Sequence, residues 1–235
     1  MYNSGSRHLS APIFLRWRHI MMLVAIFLNR EVILLHIPSS DTVDIEVLTF
    51  EAAMVRTNDE YDKERWLYVP DFYSEYRYIL GTRGEKPLIC IGINPSTAAP
   101  DDLDNTLKSV ERIAQHNGYD SFIMFNVYAQ RATNPDDMDR ECNTLLHEEN
   151  MKAFEYILSL SDQPSVWAAW GNIIEKRKYL PDCVRSMIEL GEKHHASWYS
   201  AGKISKKGHP HHPLYLKKDT PLDSFDIKAY IETLV

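Results

Sequence analysis

Four short apolar runs, each followed by a segment of helical spacing, organise the chain from Pro87 onward. Leu88-Ile89-Cys90-Ile91 is the first and ends in Gly92-Ile93-Asn94-Pro95. Leu103, Leu107, Val110, Ile113 and Ala114 then recur at helical intervals, with Gly118 placed to stop the helix. A second run, Phe122 to Phe125, ends at Asn126, and helical spacing returns through Met151, Phe154, Ile157 and Leu158. Val166 to Trp170 makes a third run, ending at Gly171. Ile173, Val184, Met187 and Ile188 predict helical cover, interrupted near Pro181 and stopping near Gly191. The fourth run, Ala196 to Tyr199, leads into a loop rich in Lys and His, and Ser224 is placed to cap a last helix burying Ile227, Tyr230, Ile231 and Leu234.

Strand and helix in alternation predict an α/β fold: a central parallel four-stranded sheet flanked by helices on both faces. Continuous apolar strands suit that burial, because both sides are covered. Residues 1–70 carry no motif and read as an N-terminal extension to an α/β domain over 71–235. Within the extension, Glu31 to Ile37 and Val43 to Phe50 are candidate strands about a turn at Pro38–Asp41, and Asn58 to Glu64 reads as an exposed loop or helix start. The apolar run Ile20 to Leu28 follows Arg16 and Arg18 but falls short of the roughly 20 residues a membrane span needs. Asn29-Arg30-Glu31 stands where a signal cleavage site would be. Neither export nor membrane insertion is expected.

Composition changes this picture little: 44% hydrophobic and 25% charged residues suit a globular domain. Cys90, Cys142 and Cys183 form no CxxC pair and read as reduced, buried thiols of a cytoplasmic protein. Charge matters more. The net charge of −7 opposes a nucleic-acid partner on average. Locally, no acid occurs from Lys193 to Lys218, a stretch with six lysines and five histidines. Binding faces are local, so this loop is a candidate contact with phosphate.

Ligands of parallel α/β sheets bind beyond the carboxyl ends of the strands. All four runs end in polar or glycine signatures: Asn94-Pro95-Ser96, Asn126, Trp170-Gly171 and His209-Pro210-His211-His212-Pro213-Leu214. Neither a P-loop nor a dinucleotide glycine motif is present, and no paired-carboxylate glycosidase pattern stands out.

This ordered set resembles the uracil-DNA glycosylase superfamily. Gly92-Ile93-Asn94-Pro95 is similar to its first motif, Phe122–Asn126 to the strand carrying a base-reading Asn, and Trp170-Gly171 to a later strand end. His209–Leu214 is similar to its second motif, with one extra residue. Residues 75–216 look closest to a bacterial and phage family of unknown function with Asn-Pro-Ser-Thr and His-Pro-Leu-Tyr-Leu motifs. The resemblance implies a monofunctional DNA glycosylase that hydrolyses the N-glycosidic bond of a flipped, modified pyrimidine. Abasic DNA would be left, in the setting of antiviral defence against phages with modified DNA.

The reaction assigns the roles. Asn94 would hold the water, and His212, or His209 in the competing alignment, would donate to the leaving base. Asn126, Tyr128 and Ile93 would bound or read the base. Pro95, Ser96, Thr97, Lys206, Lys207, Pro213, Leu214 and Tyr215 would meet the DNA, with Leu214 as a wedge in the stack. One of Asp101, Asp102 and Asp104 is an alternative partner of the water. No cofactor is expected. A zinc site at His209, His211 and His212 is a rival reading that lacks accompanying Cys or carboxylate ligands. A DNA partner, no obligate protein partner and no membrane complete the expectation. A non-catalytic DNA-binding module, a uracil or mismatch repair glycosylase and a nucleotide-level or metal-dependent hydrolase stand as alternatives.

Overall fold

A computed structural model describes residues 46–234. The candidate strand Glu31–Ile37 and the apolar run Ile20–Leu28 lie outside them. Chain order begins with a short helix α1 (Phe50–Ala53), then strands β1 (Trp66–Val69), β2 (Ile79–Thr82) and β3 (Pro87–Gly92). Helix α2 (Asn105–His116), strand β4 (Ser121–Asn126), helix α3 (Thr144–Leu158) and strand β5 (Ser165–Ala168) follow. Helix α4 (Leu180–Lys193), strands β6 (Ser197–Ala201) and β7 (Leu222–Ser224), and helix α5 (Ile227–Ile231) complete it.

The sheet has seven strands in the order β1-β2-β4-β3-β5-β6-β7, so the four-stranded expectation is corrected. Its middle strands β4, β3, β5 and β6 are parallel. β1 and β2 extend one edge and β7 the other, all antiparallel. Alternation along the strands splits the core in two. Ile89 and Ile91 of β3 face α1, α3, α4 and α5 through a layer that includes Phe125, Phe154, Val184 and Tyr230. Leu88 and Cys90 face α2 and pack with Leu107, Val110, Ile113 and Trp167. Helices therefore cover both faces. The folded unit reaches upstream of residue 70, since Phe50, Ala53, Leu67 and Val69 belong to its core.

Local chemistry explains most element ends. Asp104 caps α2 by accepting from the Leu107 amide at 2.8 Å, and Asn143 caps α3 by accepting from Leu146 at 3.1 Å. Pro181 lies in the first turn of α4, where its missing N–H costs nothing, so it opens that helix and does not interrupt it. α4 also passes Gly191 and ends at Lys193. Thr49 caps a helix where a strand over Val43–Phe50 was expected. Asp226, two residues beyond Ser224, caps α5, and Ser224 closes β7. Cys142 and Cys183, far apart in sequence, bring their thiols into hydrogen-bond contact, which lowers the pKa of Cys142 and raises that of Cys183. Among the described residues no helix is long and apolar enough to cross a membrane.

Candidate functional site at the carboxyl edge of the sheet

The parallel strands deliver their polar ends to one edge. β3 and β4 run in register to Gly92 opposite Asn126, and the chain leaves β3 through Ile93 into Asn94. The Asn94 amide donates from Nδ2 to Pro95 O at 3.0 Å and to Ala132 O at 2.6 Å. Both amide hydrogens are thereby used, and Oδ1 remains an acceptor without a protein donor among the described residues. Asn94 is half-buried, so solvent reaches it.

Beyond β5, Gly171 adopts φ +63°, a left-handed conformation that suits glycine. A Cβ built there would lie 3.5 Å from the His212 Cβ, so this turn runs directly beneath His212. His212 caps a single 3-10 turn, Pro213–Tyr215: its Nδ1 accepts from the Leu214 amide at 3.3 Å. A nitrogen that accepts carries no proton, so the neutral ring holds its hydrogen on Nε2. Burial pushes the His212 pKa down; Asp104 pulls it back in part, and His211 adds to the lowering. The site thus holds a neutral imidazole donor with a carboxylate in electrostatic reach.

Asp104 is the carboxylate that matters among the three near α2. It is half-buried, and its field acts on both His212 and Arg77. Asp101 is taken by the Trp66 indole N–H at 3.1 Å and lies 3.6 Å from Arg65. Asp102 is exposed, and its backbone exchanges hydrogen bonds with Ala99.

His209 has a different place. It is 4% exposed, with Nδ1 at 2.9 Å from the Tyr230 hydroxyl and Nε2 at 3.0 Å from Glu175 Oε1. Trp170 Nε1 donates to the same Tyr230 oxygen at 2.8 Å. Donors and acceptors then align in one direction, Trp170 to Tyr230 to His209 to Glu175. Both ring nitrogens are occupied, which makes His209 the anchor of its loop and leaves no edge for a ligand.

Several predicted contacts are corrected. Asn126 is 1% exposed, and its amide nitrogen, oriented to satisfy its surroundings, donates to Phe125 O at 3.3 Å and Asn94 O at 3.2 Å. Asn150 donates to the Asn126 carbonyl at 3.0 Å. Asn126 therefore ties β4 to the Asn94 turn and shows no edge to a base. Tyr128 is fully buried: its hydroxyl donates to Asp139 at 2.8 Å and accepts from the Asn143 amide at 3.0 Å. Ile93 is a core side chain, 6% exposed. Lys207 is ion-paired with Glu175, which lowers the Glu175 pKa, so its charge is not free for phosphate. His211 bonds the His212 carbonyl at 2.9 Å.

The remaining positions sit where a ligand reaches them. Ser96, Thr97 and Leu214 are half-buried, Lys206 is exposed and Tyr215 is 81% exposed, while Pro95 and Pro213 are buried beneath them. Arg77 and Arg131, which no sequence motif marks, lie under the Pro95–Ala98 loop. Among the described residues no group of three or more His, Cys, Asp or Glu is placed to hold a metal ion. A shallow groove between α1 and α3, lined in part by Phe50, Met54 and Tyr156, shares no residue with this edge. The family model described as "Protein of unknown function (DUF1643)" matches residues 77–214, a span that holds Asn94, Asp104, His209 and His212. No curated protein and no solved structure matches the chain.

Proposed function

Because the chain belongs to DUF1643, a family of proteins of unknown function, its chemistry must be read from the site, and we propose that it is a DNA glycosylase of the uracil-DNA glycosylase type. The observation that carries this reading is a free acceptor just beyond the end of β3 together with a neutral donor on the turn that lies against Gly171, just beyond β5. Asn94 offers Oδ1 from a fixed amide, and His212 offers Nε2–H from a ring whose other nitrogen is capped.

Hydrolysis of an N-glycosidic bond needs those two groups. As the bond breaks, its electron pair leaves with the base and positive charge grows on the sugar. Water adds to the anomeric carbon, held by a hydrogen bond to Asn94 Oδ1; the proton it sheds passes to solvent, and the departing base anion takes one up from solvent. The His212 donor stabilises the negative charge on the departing base, and a neutral imidazole does so without surrendering its proton early. An amide is a weak base, so the chemistry suits a base that leaves readily. A modified pyrimidine of phage DNA meets that requirement and is the substrate class proposed. The Pro213–Tyr215 turn, with Leu214 and the exposed Tyr215, faces the stack from which the base is drawn.

The test is base release. Duplexes carrying uracil, a thymine mismatch, or hydroxymethylated and glucosylated pyrimidines are incubated with the protein and probed for alkali-labile abasic sites. Free base should appear from at least one duplex, and Asn94→Ala and His212→Ala should each abolish it. DNA binding without abasic product from any of them defeats the proposal in favour of a binding module.

A further inference from the structure

Two arginines lie together in the interior beneath the loop from Pro95 to Ala98. Arg77 is 1% exposed and Arg131 2%. The chain segments that carry them are joined by Arg77 N donating to Ala129 O at 2.9 Å and Arg131 N donating to Glu75 O at 2.8 Å. Arg77 Nη1 donates to Ala98 O at 3.0 Å. Arg131 donates from Nη1 to Ser96 O and, at 3.4 Å, to Ala98 O, and from Nη2 to the Tyr68 hydroxyl at 3.0 Å. The Nε of each arginine is buried without a hydrogen-bond partner.

Holding a loop by its carbonyls requires donors; it does not require two buried cations. Neither guanidinium is ion-paired with a carboxylate among the described residues, and taking like charges out of water is costly, a cost the field of Asp104 on Arg77 offsets only in part. The cost is visible in Arg77, whose pKa falls to about 9, through burial first and the neighbouring Arg131 second. Buried donors without acceptors mark a place where a water or an ion belongs. Of the charges a protein meets, phosphate answers best to a pair of planar guanidinium forks. On the loop above, the half-buried Ser96 hydroxyl donates to the Thr133 hydroxyl at 3.5 Å. Tyr73 covers Arg131 from the surface: its ring lies 4.3 Å from the Arg131 guanidinium carbon and is 38% exposed.

We infer that Arg77 and Arg131, with the Ser96–Ala98 loop above them and the Tyr73 ring as a side-chain cover, form a phosphate-binding site. That the phosphate belongs to a nucleic-acid strand rests on the function proposed above; that the site takes phosphate does not.

Inorganic phosphate is the probe, titrated into the full chain at an ionic strength held constant with chloride and followed by thermal melting and phosphorus NMR line width. Phosphate should raise the melting temperature where chloride does not. Tyr73→Ala uncovers Arg131 and should tighten phosphate binding about threefold. Arg131→Gln should weaken it about tenfold. No phosphate-dependent change in either the wild-type protein or Tyr73→Ala overturns the inference, whether or not Arg131→Gln folds. A short single-stranded oligonucleotide forms the second arm. Displacement of it by phosphate identifies the strand as the source, while phosphate binding without displacement leaves the site in place with the free anion as its ligand. Base release is read in neither arm, so failure of the glycosylase reading and failure of this site are separate results.

Discussion

Two histidines three residues apart carry opposite assignments, and substitution separates them. His209 is enclosed, with a partner on each ring nitrogen, so His209→Ala strands the Tyr230 hydroxyl in the interior and leaves a cavity. Its unfolding free energy in a denaturant titration should drop by about 2–4 kcal/mol. His212→Ala removes a half-buried ring with one weak cap, so stability should change by less than about 1 kcal/mol while base release disappears. Equal losses of stability in the two variants would erase the distinction. The His212 ring also sets a pH dependence. Burial holds its pKa below the ordinary 6.5, so the neutral donor persists at pH values where a free imidazole is already charged. Base release should stay level from about pH 8 to the ordinary imidazole value and decline only on the acid side of it. Stability follows the same sign. Below 6.5 the unfolded chain binds the proton more readily than the folded one, so the contribution is fully present above that pH. It is lost as pH falls through the folded value, and the half-buried His147, also shifted down by burial, acts in the same direction.

At the scale of elements, two glycines, in β2 and β3 on either side of β4, test how tightly the sheet is built. A Cβ on Gly81 of β2 would stand 2.3 Å from Phe122 O and 2.7 Å from the Ile123 Cα, both backbone atoms that cannot move without parting β2 from β4. On Gly92 of β3 the first obstacle, at 2.5 Å, is the mobile end of the Met124 side chain. Gly81→Ala should therefore cost about 3 kcal/mol or more in a denaturant titration, and Gly92→Ala about 1 kcal/mol. The same contrast explains what the sequence reveals. β3, β4 and β5 announce themselves as apolar runs because both faces of each are covered, and β6, open on one face at Ser197 and Tyr199, does so through Trp198 and Tyr199. β1 and β2 are equally buried but set among Tyr and Arg, and β2 is interrupted by Gly81, so no periodicity marks them. Of the site, Asn94 and His212 are legible because each stands directly before a proline, Asn94 just beyond the end of β3 and His212 in the loop after β6. Asn126 closes β4 without a proline and is a buried strut; what makes it one is the Asn94 carbonyl and Asn150, which the fold supplies from elsewhere. Arg77 and Arg131 have no signature, because their meaning comes from standing side by side.

On the whole molecule, a net charge of −7 must be reconciled with the polyanionic partner proposed above. Long-range attraction cannot do it, so binding has to rest on a local face that holds its positive charge free of acids. The loop between β6 and β7 meets this condition only in part: Lys207 is neutralised by Glu175, whereas Lys203, Lys206, Lys217 and Lys218 are exposed and make no ion pair among the described residues. Lys206→Glu and Lys207→Glu, alike in formal charge change, should then behave differently. The first takes a cation away from the DNA backbone: affinity for every DNA sequence falls alike, and the slope of log affinity against log salt becomes shallower by about 0.9 for each phosphate no longer neutralised. The second removes no free charge and instead sets Glu175 against a new acid beside the His209 anchor, so it should lower thermal stability while leaving the salt slope near that of the parent. Filter binding or fluorescence anisotropy across a series of salt concentrations reads the difference. Identical slopes for the parent and Lys206→Glu would move the docking face away from this loop. The carboxyl edge would then have to meet its ligand through the Ser96–Thr97 side alone, where positive charge is buried rather than displayed.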